Sequence, residues 1–301
     1  MTFKVIIPTL NASREWEAFR EVLLQNVAAD DVIVIDSAST DGTADIVSRD
    51  SVRVCSIKRS EFDHGGTRQL ALDLAPKADV FVYLTQDALL AGEDHVLQLL
   101  RAFDDPSVGA AFGRQLPRRN ASPIEAHARL FNYSTRSGLR TLSDKATLGF
   151  KAIFISNSFA AYRRTALEAV GGFPRDTIFG EDTITAAKLL KAGWKIAYVA
   201  EAQVYHSHSY TWRQEFRRYF DIGVLHSREH WLIEEFGGAS GEGARFVRSE
   251  LRSLWPKHWW LIPSALIRTA LKLVGYKLGK MESHLPVALK RSISMNRGYW
   301  K

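Results

Sequence analysis

The chain has 301 residues, 46% of them apolar, enough for one large domain or a domain with an appendage. Its single cysteine, Cys55, excludes an internal disulfide and suits a reducing compartment, with the thiol expected as a buried structural group. Net charge is +7, yet residues 211–301 hold 16 Lys and Arg against 8 Asp and Glu, while residues 1–210 sum to −1. That asymmetry argues against a basic catalytic cleft and for a tail that docks on anionic lipid or nucleic acid, or a solvated helical face.

The first residues show no basic segment followed by a long apolar run and a small-residue cleavage site, which predicts a cytoplasmic protein. Strand-like apolar runs alternate with helix-like segments: strands at 3–8, 31–36, 52–57 and 80–85, helices at 14–27, 42–48, 65–75 and 94–103. Such alternation predicts a parallel sheet with helices on both faces. A strand at 108–115 and a helix at 123–137 continue the core, then a strand at 158–163, a helix ending at Gly171-Gly172, a helix at 182–192 and a strand at 194–199 complete it. Beyond Tyr210 the pattern changes to amphipathic helices at 212–236 and 243–255, and the domain boundary is placed at about residue 210, with 211–301 as a basic helical extension. The longest apolar stretch, 259–267, contains Pro263 and Ser264 and falls far short of the roughly 20 residues that span a bilayer.

Several residues have the placement that chemistry requires. Val32 to Ile35 form a β-branched run ending on Asp36, and in open α/β sheets ligands sit outside the carboxyl ends of such strands. Asp87 closes a second apolar run, where a carboxylate can accept a base N–H or hold a hard cation such as Mg²⁺ or Mn²⁺; capping a helix is the structural alternative. The first strand runs into Pro8-Thr9-Leu10-Asn11, without the glycine-rich turn of a dinucleotide fold, and no phosphate-binding Gly-Lys-Ser/Thr loop occurs. The segment from Arg59 to Arg68 enters a helix through Gly65-Gly66, offering backbone N–H groups to an anion and the Arg68 guanidinium to a phosphate or base carbonyl.

Glu181-Asp182 opens another helix, where capping accounts for one acid and the second is available as a general base. His206 and His208 stand two apart, so in an extended chain they face opposite sides and one of them should reach a shared metal. Asn157, between Ser156 and Ser158, precedes a strand, with packing or turn formation as its structural alternative. His226 to His230 fits the His-x-x-Glu-His pattern of inverted zinc peptidases, a minor alternative because no third ligand is evident.

In this order and spacing, Val5-Ile6-Ile7-Pro8-Thr9, Asp36 to Thr43, Phe62 to Arg68, Leu84-Thr85-Gln86-Asp87-Ala88, Gly171-Gly172-Phe173 and Glu181-Asp182 resemble the family 2 nucleotide-sugar glycosyltransferases of the GT-A fold. Within them the chain is similar to bacterial rhamnosyltransferases of surface polysaccharide synthesis, over roughly residues 3–210. The resemblance implies an inverting, metal-dependent transferase moving a sugar, L-rhamnose from dTDP-L-rhamnose, onto a hydroxyl of a lipid-linked cell-surface glycan such as O-antigen. It implies that Thr9, Asp36, Arg68, Gln86 and Asp87 hold the donor, that Asp87 with His206 (second choice His208) binds Mg²⁺ or Mn²⁺, and that Asp182 is the base. Asn157 and Glu181 would then meet sugar or acceptor. Thr85 stands where the family's first metal-binding acid is usual, leaving a single-acid site.

Trp255, Trp259 and Trp260 beside Lys257, with Arg268, Lys272, Lys277 and Lys280 following, suit a helix in a membrane interface, placing the protein at the inner face of the cell membrane through residues 250–301. This reading involves no nucleic acid. A family 2 transferase using a UDP- or GDP-sugar is the nearest competitor, and a non-enzymatic membrane or nucleic-acid binding protein the more distant one.

Overall fold

The computed structural model describes residues 1–238 and 241–300. In chain order the first elements are β1 (Phe3–Thr9), α1 (Ser13–Asn26), β2 (Val32–Asp36), α2 (Thr43–Ser48), β3 (Arg53–Ser56), α3 (His64–Leu74), β4 (Val80–Leu84), β5 (Leu89–Leu90) and α4 (His95–Leu100). There follow β6 (Val108–Leu116), α5 (Pro123–Asn132), β7 (Gly138–Arg140), α6 (Lys145–Leu148), β8 (Phe159–Arg163), α7 (Arg164–Ala169), α8 (Glu181–Lys191) and β9 (Lys195–Tyr205). Helices complete the chain: α9 (Trp212–Arg228), α10 (His230–Phe236), α11 (Glu242–Leu254), α12 (Ile262–Lys280) and α13 (Val287–Ile293).

Among the described residues the strands form one mixed sheet in the order β3-β2-β1-β4-β8-β6-β9-β5, with β7 paired to β9. The half that the βα alternation predicts, β3-β2-β1-β4, is parallel throughout. β8 enters antiparallel between β4 and β6, so its amino end meets their carboxyl ends. Two cores sandwich the sheet. Alternate side chains separate them: Val5 and Ile7 face Trp16, Phe19 and Leu23 of α1, whereas Ile6, Phe81 and Tyr83 face Ala71, Leu190 and Phe220. All five residues of β2 are buried, as a parallel strand covered on both faces requires.

Some elements differ from the sequence expectation for physical reasons. The helix expected at 123–137 stops at Asn132, after a Ser122–Glu125 capping box starts it, and Gly138 to Arg140 pair with β9. β9 runs on to Tyr205, past a register shift opposite Gly113-Arg114, because its last residues pair with both β6 and β5. The helix expected at 212–236 breaks at Glu229, and the turn buries Leu232 and Phe236 in the core. Cys55, expected buried, is free and half-buried on the edge strand β3. The N-terminal boundary of the helix expected at 243–255 lies next to the described limit at Gly241, and α12 and α13 follow it.

The C-terminal helices are not a peripheral appendage to the core. Phe220, Val224 and Leu225 of α9, with Trp300, join the same cluster as Phe81 and Tyr162. α9 and α12 approach backbone to backbone because Gly223, Gly275 and Gly279 lie between them. A Cβ on Gly279 would fall well inside van der Waals contact with the Phe220 carbonyl, and one on Gly275 would strike the Phe216 carbonyl. Gly279→Ala should therefore force the helices apart and lower stability by about 1–3 kcal/mol. Urea unfolding checks this, and an unchanged midpoint would show that the contact yields freely.

Candidate active site

The carboxyl ends of β4, β6 and β9 and the amino end of β8 open onto a cleft of about 970 Å³, walled by residues of α5, α8, α9, α11 and α12. Into it project Asp87, His206 and His208 from one side and Asn157, Glu181 and Asp182 from another.

Register assembles the first group. β5 pairs antiparallel with β9, Leu89 opposite Tyr205, so the chain just before Leu89 lies beside the chain just after Tyr205. Asp87 Oδ2 is 3.3 Å from His206 Nε2 and 3.8 Å from His208 Nδ1. The expectation that one imidazole alone reaches this point fails, because the chain has left the strand before His206 and both rings turn toward Asp87; they pack edge to face at 4.6 Å. Candidate ligand atoms of all three residues lie within 4.8 Å of one another. One carboxylate and two imidazoles form a donor set suited to a divalent transition ion, Mn²⁺ more than Mg²⁺.

The surroundings fix these ligands. Burial raises the Asp87 carboxyl, but the hydrogen bond and charge of His206, then Thr85 and His208, outweigh it and hold the group well below the usual carboxylate range. His208 is pushed down to about 4 by burial and by His206 against the pull of Asp87, leaving its ring neutral. His206 Nδ1 meets Gln115 Oε1 at 3.0 Å, which directs Nε2 to Asp87. Gln115 is itself held by Arg129 at 3.0 Å and by donation to Ser156 Oγ at 2.9 Å. Gln115 and Arg129 carry no sequence signal beyond a polar residue at a strand end and an arginine on a helix.

The second group rests on α3 and α8. α3 approaches the chain before α8 so closely that a Cβ on Gly65 would overlap the Pro174 carbonyl. Asp63 caps α3 by accepting from Gly66 N at 2.5 Å, so that amide serves the cap and not an anion. Buried Arg68 donates to the His64 carbonyl at 2.8 Å and pairs with Glu181 at 3.2 Å, while its Nε has no partner among the described residues. Asn157 Nδ2 also donates to Glu181, at 2.9 Å. Burial pushes Glu181 up, and Arg68, His64 and Asn157 together bring it down, so it stays ionised. Asp182 goes the other way, raised to about 6 by burial and by the Glu181 charge against amide donation from Thr183 and Asn157. Adjacent carboxyls driven apart in this manner are suited to different roles: a fixed anion and a proton acceptor near neutrality.

The remaining sequence candidates stand at the sheet edge beyond the cleft lining. Asp36 accepts from Thr9 Oγ1 at 3.2 Å, Ser39 N at 2.9 Å and Ser39 Oγ at 2.5 Å. Gln86 accepts from Leu10 N at 2.7 Å and donates to its carbonyl at 3.1 Å, clamping the loop after β1. Asn11 and Ala38 in these loops hold positive φ angles, 51° and 58°, a cost that functional loops commonly carry.

The zinc-peptidase pattern does not assemble: α9 ends at Arg228, His226 Nδ1 meets the Tyr276 hydroxyl, and Glu229 accepts from the Trp231 indole. Arg268 and Lys272, expected on a membrane face, line the cleft and pair with Glu215.

The family model of Glycosyl transferase family group 2 matches residues 80–270. The O-antigen chain rhamnosyltransferase WbaN of Salmonella anatum is 48% identical over 99% of this chain and 96% of its own. The O-antigen chain rhamnosyltransferase RfbN of Salmonella typhimurium is 47% identical over 100% of this chain and 96% of its own. Among solved structures, the mannosyltransferase PcManGT from Pyrobaculum calidifontis, in complex with GDP-Man and Mn²⁺, superposes with a TM-score of 0.57 at 21% identity, covering 99% of this chain and 84% of that one. S. aureus TarS in complex with UDP gives 0.55 at 16% identity, covering 94% and 91%. The architecture is thus the GT-A fold, and the chain belongs to glycosyl transferase family group 2, in its rhamnosyltransferase-like branch.

Proposed function

We propose that this glycosyltransferase moves L-rhamnose from dTDP-L-rhamnose onto a hydroxyl of a lipid-linked cell-surface glycan, with inversion at the anomeric carbon. The observation that carries the mechanism is the placement of Asp182, its carboxyl raised to about 6, in one cleft with Asp87, His206 and His208. The rhamnosyl donor and O-antigen acceptor follow the two relatives that share nearly half of the sequence over the whole chain.

Asp182 takes the proton of the acceptor hydroxyl as that oxygen attacks the anomeric carbon. The bond from that carbon to the diphosphate breaks, and dTDP departs with the electron pair from the opposite face. Asp87, His206 and His208 would hold a divalent cation, Mn²⁺ or Mg²⁺, which when bound supplies neutralising charge for the donor's diphosphate. Thr9 and Asp36 are assigned to the nucleotide. The contacts of Asp36 leave one lone-pair direction on Oδ2 for the thymine N3–H. Gln86 supports that loop, Arg68 acts through Glu181, and Asn157 connects the base to the sugar side.

Release of dTDP from dTDP-rhamnose, against a panel of UDP- and GDP-sugars, tests the donor; turnover of another nucleotide sugar in its place would sink it. Asp182→Asn should lower kcat by about 10²–10⁴-fold while leaving dTDP affinity unchanged. Wild-type kcat should climb as pH rises through about 6, since a protonated Asp182 cannot accept the acceptor proton. A flat profile between pH 5 and 8 would remove Asp182 as the base.

Gln115→Ala frees the His206 ring and should weaken Mn²⁺ binding by about 10–100-fold in titration calorimetry. Wild-type affinity in that variant would mean that the imidazole needs no support.

No helix among the described residues is long and apolar enough to cross a membrane. Trp255, Trp259 and Trp260 are nonetheless 72, 63 and 58% exposed at the junction of α11 and α12, beside Lys257. We assign this junction to the inner membrane face, with the indoles in the interface and cations against anionic headgroups. Replacing the three tryptophans by serine should weaken sedimentation with phosphatidylglycerol-containing vesicles at least about tenfold, given the apolar area removed. Undiminished binding would place the contact elsewhere. Deleting 250–301 is a poor test, because α12 packs backbone to backbone on α9.

A further inference from the structure

Part of the cleft lining comes from helices that carry neither the base nor the metal ligands: Glu215 and Tyr219 from α9, Phe246 and Glu250 from α11, Arg268 and Lys272 from α12. Charge is divided unevenly among them. Glu215 takes both cations, with Arg268 Nη1 3.2 Å from Oε1 and Lys272 Nζ 3.5 Å from Oε2. Arg268 also donates to the Tyr210 carbonyl at 2.6 Å, and Lys272 lies over the Tyr219 and Phe246 rings at 5.5 and 5.4 Å.

Glu250 is left out of this arrangement. It is 2% exposed and borders the cleft, and its carboxylate feels Lys272, Glu215 and Arg268 only at a distance, with no hydrogen bond from any described residue. Burial pushes its carboxyl up; Lys272 and Arg268 pull it back, and Glu215 opposes them. Neither Glu250 oxygen is among the sealed atoms that lack a partner, so the carboxylate opens onto the cleft as an acceptor that no described residue uses. A ligand that brings donors into the cleft can occupy it. Adjacent hydroxyls of a pyranose present two O–H donors at a spacing that one carboxylate can accept, while aromatic faces meet the C–H side of the ring.

We propose that Glu250 reads two adjacent hydroxyls of the acceptor sugar, with Phe246 and Tyr219 against its C–H face, so that the C-terminal helices determine acceptor specificity. The inference rests on the transferase reading above, whose base and metal ligands belong to other elements. Glu215, clamped by Arg268 and Lys272, positions this wall.

The test uses the full chain with dTDP-rhamnose, Mn²⁺ and, as acceptor, the lipid fraction from membranes of cells lacking this protein, in which the unextended glycan accumulates. Glu250→Gln should raise the half-saturating amount of acceptor about tenfold, and Glu250→Ala further, from loss of charge-assisted hydrogen bonds. Calorimetric affinity for dTDP and the slow hydrolysis of donor without acceptor should stay within twofold in both. Unchanged half-saturation in both variants overturns the proposal. So does a loss of dTDP affinity that matches the loss of transfer, since Glu250 would then be a structural support. A wild-type chain that releases no dTDP with any extract overturns the transferase reading itself, and the acceptor site with it.

Discussion

The Arg68 guanidinium, buried between α3 and α8, keeps Glu181 ionised, and burial together with that neighbouring charge lifts the Asp182 carboxyl toward neutral pH. This pair depends in turn on how near α3 comes to the chain before α8. Only glycine at position 65 allows that approach, with the Pro174 carbonyl where a Cβ would stand. Asn157 completes the arrangement by giving its side chain to Glu181 and its backbone N–H to Asp182. The ion pair that keeps Glu181 charged therefore depends on a steric condition at one residue.

On the other side of the cleft the sheet does comparable work with less sequence. A two-residue strand, Leu89–Leu90, draws the end of β9 to the end of β4 and so places Asp87 between two imidazoles. Thr85 stands where the family's first metal-binding acid is usual, and in the metal site proposed above the His206 and His208 nitrogens would serve beside Asp87 instead. Gln115 gives His206 its orientation, and the neutral His208 keeps one ring nitrogen with a free lone pair.

The C-terminal helices close the cleft and carry their own charge pattern. α12 lies on α9 so tightly that three glycines are needed between them, and that contact turns Arg268 and Lys272 inward to Glu215. Trp255, Trp259 and Trp260 point outward from the same segment. One stretch of chain thus presents a cationic, carboxylate-bearing wall to the cleft and an aromatic surface to the surroundings.

The sequence by itself determined the parallel half of the sheet, because its β-branched runs and following helices have few other ways to bury themselves. It also determined which acids stand at element ends: Asp36 and Asp87 close apolar runs, and Glu181-Asp182 opens a helix. Local patterning reaches that far, since alternation and caps act over a few residues. Only the tertiary structure decided that both histidines converge on Asp87, because strand alternation ceases at Tyr205 and the pairing of β5 is too short to read. Only packing decided that Arg68 serves Glu181, that Asp182 and not Glu181 is the raised acid, and that Arg268 and Lys272 belong to the cleft. Each of these is a matter of burial and of partners distant in sequence, and a carboxylate's environment is fixed by the neighbours that folding brings to it, which its own flanking residues do not specify.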